Sequence, residues 1–225
     1  MYPRFESSSW GEGGSLPLTD ASAIVVDGAF FSSISHDTTF YILRHGQTAG
    51  NASGTFQGRL DYPLDETGTQ TASIVAEACG KGEALYLPSL IEVDVGLFTG
   101  IGAEMARVRH PEVFARFQHM SWDAVPEAEH SSSMYARAVI SWMRMRELAE
   151  GGAKNIVCVS HGGLIQWLIR STFGAKSWLP LVPTSNCGIS RLDIEPTSPG
   201  SPAFLQWPMI NFRASELGLG LKPVF

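Results

Sequence analysis

Two short apolar runs, TTFYIL at 38–43 and NIVCVS at 155–160, each stop at a histidine followed by glycine: Arg44-His45-Gly46 after the first, His161-Gly162-Gly163 after the second. Both are rich in β-branched residues, too short for an average helix and bounded by glycine, which predicts buried strands. The second passes directly into the apolar helical pattern LIQWLIRSTF. Strands alternating with helices predict an α/β fold in three layers, α/β/α, with a mostly parallel central sheet and helices on both faces. Ligands of such sheets sit beyond the carboxyl ends of the strands, so both histidines are expected to project into one crevice.

The rest of the chain fits around that pair. Residues 44–64 read as a loop, punctuated by Gly and Pro. Ala72, Val75, Ala76 and Cys79 recur at helical spacing over 65–79, with Gly80 as the stop. LPSLIEVDVG at 87–96 reads as a strand, 100–120 as helix broken at Pro111, and 131–150 as a long helix with Met134, Ala138, Trp142, Met145 and Leu148 on its core face. Further strands are expected at 187–194 and 203–207. The Ser/Gly-rich residues 1–22 are expected to be a mobile arm, leaving 23–225 as one domain.

Composition narrows the function classes. With 225 residues, 44% hydrophobic, the chain is long enough for one substantial core. A formal charge of -6 with scattered Lys and Arg provides no basic face for nucleic acid, although convergent donors in a cleft still suit a small anion. Cys79, Cys158 and Cys187 are odd in number and lie in apolar or small-residue surroundings, as reduced core thiols of a cytoplasmic protein do. No Cys/His spacing suggests zinc, so no metal and no cofactor is expected. AIVVDGAFF is interrupted by Asp27 and lacks a basic leader, and no run approaches the ~20 apolar residues of a membrane span.

The strand-end residues carry a definite chemistry. A neutral imidazole is a nucleophile toward phosphorus near pH 7, an adjacent guanidinium offers a planar fork for phosphate oxygens, and a glycine lets backbone N–H groups approach an anion. His45, Arg44 and Gly46 supply these three, and His161 a second imidazole. The expected reaction is phosphoryl transfer through a phosphohistidine, catalysed mainly by positioning and charge.

The stretch LRHGQTAGNASGTFQGRLDYPLDETG resembles the signature of the phosphoglycerate mutase-like histidine phosphatases, branch 1 of the histidine acid phosphatase superfamily. LIEVDVGLFTG resembles that family's Leu-Arg-Glu-Ile-Asp-Phe-Gly segment, IVCVSHGGLI its second-histidine strand, and PEAEHSSSMYARA its Gly-Glu-Ser segment in degraded form. The likeness spans about residues 38–195. It implies His45 as nucleophile, Arg44, Asn51 and His161 around the phosphoryl group with Gly162 beside them, and Glu92 as proton donor and later base. Gln57, Gly58 and Arg59 would line the substrate side.

One part of the family pattern is missing. Between the first helix and the Glu92 segment the family has another strand and helix, with a Ser-Ser-Pro-Leu-x-Arg segment whose arginine is a second phosphate clamp. That insert needs ~25 residues, and ETGTQTASIVAEACGKGEALYLPSL has no room for it. This apparent internal deletion removes a donor whose loss typically costs ~10²–10³ in rate, so weak activity is expected. AIVVDGAFFSSIS at 23–35 is a candidate for the vacated strand, in cis or exchanged from a second subunit, which would make a homodimer natural. Arg59 and Arg213 are candidates for the missing clamp.

Blander roles stand beside these. Asp94 competes with Glu92, Asn51 suits a loop cap, Arg59 an ion pair with Asp61, and Glu129 a helix N-terminal charge. His36, His110, His119 and His130 have no partner pattern. Phe98, Met105, Phe114, Phe117, Met120 and Trp122 suit core packing or an apolar substrate wall. Three functions fit: hydrolysis of a small phosphorylated metabolite, a phosphoglycerate mutase-type transfer, or binding of a phosphorylated ligand or protein partner without turnover. The basic, Pro-rich insert of the cofactor-dependent mutases is absent, which favours hydrolysis.

Overall fold

A computed structural model describes residues 18–79, 82 and 84–213. Helix α1 (Leu18–Ala21) is followed by strand β1 (Thr38–Arg44), helices α2 (Ala49–Ala52) and α3 (Glu66–Cys79), then α4 (Ala103–Arg109), α5 (Pro111–Met120) and α6 (Ser131–Glu150). Strand β2 (Asn155–Ser160), helix α7 (Gly162–Thr172) and strands β3 (Ile189–Glu195) and β4 (Phe204–Phe212) complete it.

Among the described residues the sheet order is β2-β1-β3-β4. The α/β class is as expected, but the pairing differs in detail: β1 and β2 are parallel, whereas β3 runs antiparallel to both β1 and β4. β1 is buried on both faces, which explains its continuous apolar run. Phe40 and Ile42 join the main core with α6 and α7, while Leu43 packs with Val75 of α3 on the other side. Trp142 of α6 centres the main core: fully buried, edge-on to Phe31 and Phe40 at 5.7 and 5.4 Å, it donates its indole N–H to Leu168 O at 3.0 Å. None of the described helices is long and apolar enough to cross a membrane.

Several boundaries follow from local chemistry. Asp65 caps α3, its carboxylate accepting the Gly68 N–H at 2.7 Å. The 100–120 segment breaks at His110, because Pro111 excludes helical backbone before it and opens α5 instead. Pro208 is tolerated in β4, beside irregular register against β3.

Three expectations are corrected. The 87–96 stretch is not a strand: Pro88–Leu90 and Gly96–Phe98 form tight 3-10 turns, and only Val95 makes an isolated bridge, to Ala128. Residues 23–35 form turns rather than a replacement strand. Val26, Phe30, Phe31 and Ile34 are buried in the main core, and Tyr135 of α6 donates to Ile24 O. The strand exchange that suggested a homodimer therefore has no counterpart. Packed structure also begins before residue 23, since Ala21 is fully buried; the remainder of the expected arm, 1–17, lies outside the described residues. No described strand pairs with the outer edge of β2, where Val157 and Val159 are 42% and 57% exposed. That bare edge agrees with the missing strand and helix.

Candidate active site

The register of β1 and β2 brings the histidines together. Arg44 pairs with Ser160, and the His45 N–H continues the ladder to Ser160 O at 2.9 Å, so the next residues along the parallel strands are His45 and His161. Their rings stand 5.0 Å apart between centroids, tilted by 57°. His45 Nδ1 lies 2.7 Å from Gly46 O. A carbonyl only accepts, so Nδ1 carries the proton and Nε2 keeps its lone pair. Burial pushes the His45 pKa below its ordinary value; the Gly46 bond opposes this, and the neighbouring His161 and Arg44 reinforce it. Burial, with Arg44 and Arg137, lowers His161 likewise. Both rings thus favour the neutral form at pH 7.

Arg44 is anchored through Nη1 to Thr184 O at 2.7 Å, while its buried Nε has no partner among the described residues. An unpaired buried donor of this kind is costly unless a ligand satisfies it. The Glu92 carboxylate accepts the Val93 N–H at 2.8 Å and the Gly163 N–H, in the first turn of α7, at 3.1 Å. A Cβ on Gly163 would fall 2.4 Å from Glu92 Oε1, so a larger residue there would displace the carboxylate. Asp94 instead takes the Gly96 N–H and faces Arg59, 3.7 Å away.

Asn51 is oriented by its surroundings. Its Oδ1 accepts from the Thr48 N–H at 3.1 Å and from Asn186 Nδ2 at 3.0 Å, which identifies that atom as oxygen and leaves the amide NH₂ for a ligand. The loop-cap reading also holds, since Thr48 and Asn51 form a reciprocal capping box at α2. Gln57 Oε1 lies 2.8 Å from the Thr48 hydroxyl. Gly46 has a role other than the expected one: its Cβ position lies 2.6 Å from Gly68 O, so it permits close packing of the loop on α3.

Arg44, His45, Asn51, Gln57, Gly58, Glu92, His161 and Gly162 all line one cleft of about 430 Å³. Arg59 does not. It donates to Glu129 at 3.0 Å and to Glu92 O at 3.3 Å, and pairs with Asp94 rather than Asp61. Arg213 is likewise absent from the described lining, where Arg44 is the one Arg or Lys. Glu129 is a structural hub: both its oxygens bind Arg137, at 2.8 and 2.7 Å, and Arg137 in turn donates to Ser89 O and Ile91 O. Burial alone would raise the Glu129 carboxyl, but the bonds from Arg137 outweigh it and hold it below the usual range.

Of the aromatic residues weighed for a substrate wall, only Trp122 lines the cleft; Phe98 is fully buried beneath it. His36, His110, His119 and His130 all lie outside the lining. Cys158 and Cys187 are buried free thiols, Cys158 pushed up to about 12 by burial; the expectation for the Cys79 side chain falls outside the description. Among the described residues no group of three His, Cys, Asp or Glu is placed to hold a metal ion. Of the supports Thr48, Thr184, Asn186 and Gly163, only Gly163 is named from sequence, for its place after His161 and not for its bond to Glu92. Only the Pro/Ser/Asn turn composition of PTSNC before β3 hinted at the second and third.

The sequence profile of the histidine phosphatase superfamily (branch 1) matches residues 40–81 and 69–204. The chain therefore belongs to that superfamily. The two matched stretches overlap at 69–81, beside the site of the deletion. Among relatives, phosphoglycerate mutase-like protein 4 of Arabidopsis thaliana is 29% identical over 181 residues, covering 67% of this chain and 78% of its own. The fold matches the crystal structure of the alpha-ribazole phosphatase from Shigella flexneri with a TM-score of 0.63 at 19% identity, over 79% of this chain and 98% of that one. A mycobacterial glucosyl-3-phosphoglycerate phosphatase matches with a TM-score of 0.62 at 23% identity, over 78% and 99%.

Proposed function

We propose that the protein is a phosphomonoester hydrolase that works through a phosphohistidine at His45. The observation that carries this is the inner part of the cleft: a neutral His45 with Nδ1 tied to Gly46 O, facing His161, beside a buried Arg44 Nε without a partner. In the first step the Nε2 lone pair attacks phosphorus and the bond to the leaving oxygen breaks as Glu92, protonated, gives that oxygen its proton. Arg44, His161 and the Asn51 amide hold the other phosphoryl oxygens. In the second step Glu92 takes a proton from water, the water oxygen attacks phosphorus, and the P–N electron pair returns to His45 as inorganic phosphate leaves. The lining of this cleft needs no metal for either step.

Arg44 being the one lining Arg or Lys favours a slow enzyme, by ~10²–10³ relative to a two-arginine site. It also lends weight to a second reading, binding without turnover. Hydrolysis of a phosphomonoester panel by wild type and His45→Ala separates the two. Turnover by wild type and none by the variant supports the hydrolase. Equal rates overturn the role of His45, and binding of phosphate esters with no turnover by either protein supports the second reading.

A further inference from the structure

Beyond the phosphoryl-binding groups the cleft has a second character. Phe56, Leu60, Tyr62, Leu64, Val95 and Trp122 form an apolar part of the remaining lining, beside the polar Thr48, Thr55, Gln57, Asp61 and Thr184. Phe56 and Trp122 meet edge to face at 5.2 Å, and Trp122 is backed by Phe117 at 4.7 Å, so this wall is held by the small core beneath it. Leu60 and Leu64 are 45% and 42% exposed, apolar surface that a bound molecule would cover. Charge is distributed just as unevenly. Asp61 is the one Asp, Glu, Lys or Arg in the described lining besides Arg44 and Glu92. The nearest basic side chain in sequence, Arg59, is held by Glu129 and Asp94 outside the lining.

We infer that the substrate's leaving group is an uncharged apolar alcohol or phenol, recognised by the Phe56–Trp122 wall, and that phosphate esters carrying a carboxylate or a second phosphate are excluded. This inference rests on the proposed hydrolase reading. The phosphoryl group occupies Arg44, so a second anion on the substrate would be desolvated with no cation to receive it and with the Asp61 carboxylate in the same cleft. An alkyl or aromatic group would instead cover Leu60 and Leu64 and meet the aromatic pair. The alpha-hydroxy carboxylate of a phosphoglycerate has no counterpart in this lining. That sets the cleft apart from what the names of several relatives describe.

Binding of non-hydrolysable phosphonates tests the inference without requiring turnover. Calorimetry on the wild-type chain compares hexylphosphonate with 3-carboxypropylphosphonate, alongside turnover of hexyl phosphate and 3-phosphoglycerate, both esters of unactivated alcohols. Hexylphosphonate is expected to bind at least ~10-fold more tightly, the range over which apolar pockets discriminate. Leu60→Ser, at an exposed position, should shrink that ratio, and Asp61→Lys should shrink it by admitting the carboxylate; Trp122→Ala should weaken hexylphosphonate binding most. Equal or tighter binding of the carboxylated compound, or no binding of either, overturns the inference. Hexyl preference in binding without turnover of any ester leaves the apolar recognition standing but removes the hydrolase reading and, with it, the assignment of a leaving group. Turnover with 3-phosphoglycerate preferred does the reverse.

Discussion

The cleft's strand-borne and loop-borne parts are built on different principles. Arg44, His45 and His161 stand at the carboxyl ends of two strands in a six-residue parallel register; Arg44 and His45 are each held by a backbone carbonyl, Thr184 O and Gly46 O, and His161 follows Ser160, whose carbonyl accepts the His45 N–H. Phe56, Leu60, Tyr62 and Leu64 lie instead on the loop between α2 and α3, with Trp122 on a turn after α5. The first part has hydrogen-bonding groups fixed in direction, as a reaction centre requires, while the second offers apolar area. The difference teaches where substitutions act. Changes at the strand ends should abolish chemistry for every substrate, whereas changes in the loop should alter which substrate is used.

The largest effect is expected from His45→Ala, which should lower kcat/KM by ~10⁴-fold or more for charged and apolar esters alike. A loss confined to one substrate class would erase the distinction between the two parts. Glu92→Gln should lower kcat/KM by ~10²–10⁴-fold for hexyl phosphate and less for p-nitrophenyl phosphate, whose leaving group needs no proton. Gly163→Ala should follow it in direction, because the methyl group would push the Glu92 carboxylate from its two N–H donors. The lowered pKa of His45 fixes the sign of the pH dependence. Nucleophilic neutral imidazole persists as pH falls past 6.5, so the acid limb of kcat/KM should lie below that value. A limb above it would contradict the buried, neutral His45.

Outside the cleft lining, the Glu129–Arg137 pair anchors the chain at 89–92. Arg137→Met should leave Glu129 buried with only Arg59 as counter-ion and cost on the order of 3–5 kcal/mol, read as a shift in the urea midpoint. Because Glu129 is held below its ordinary value of 4.5, its contribution is fully present above that pH and is lost as pH falls through the folded-state value. Stability that rose as pH fell through that window would refute the pairing. The smallest effect is expected for Arg59→Gln: about 0.5 kcal/mol or less from its exposed pairs, and kcat/KM within about threefold. A large loss of activity would return Arg59 to the substrate side, where its motif had suggested it.

What was legible in the sequence follows the same division. His45 and His161 could be placed because a buried strand betrays itself by a dense apolar run and ends visibly at polar residues and glycine. Glu92 was placed by resemblance, although its surrounding stretch was misread as a strand: its apolar residues alternate, but Pro88 and the positive φ of Gly96 favour turns. Arg59 was misplaced because its partners Asp94 and Glu129 lie far along the chain. Asn186, which orients Asn51 from 135 residues away, left no local periodicity to find. Residues 23–35 showed their apolarity correctly but not its destination, since the same run serves a strand or a buried turn.

The central claim is most directly tested by locating the phosphoryl group on Glu92→Gln mixed with p-nitrophenyl phosphate and quenched in alkali. The activated leaving group should allow the first step while the missing base stalls the second. Close to one phosphoryl group per chain is expected, on the peptide containing His45, removed by brief acid treatment. Turnover by wild type with the variant's phosphoryl group on another residue, or with none on His45, would contradict it.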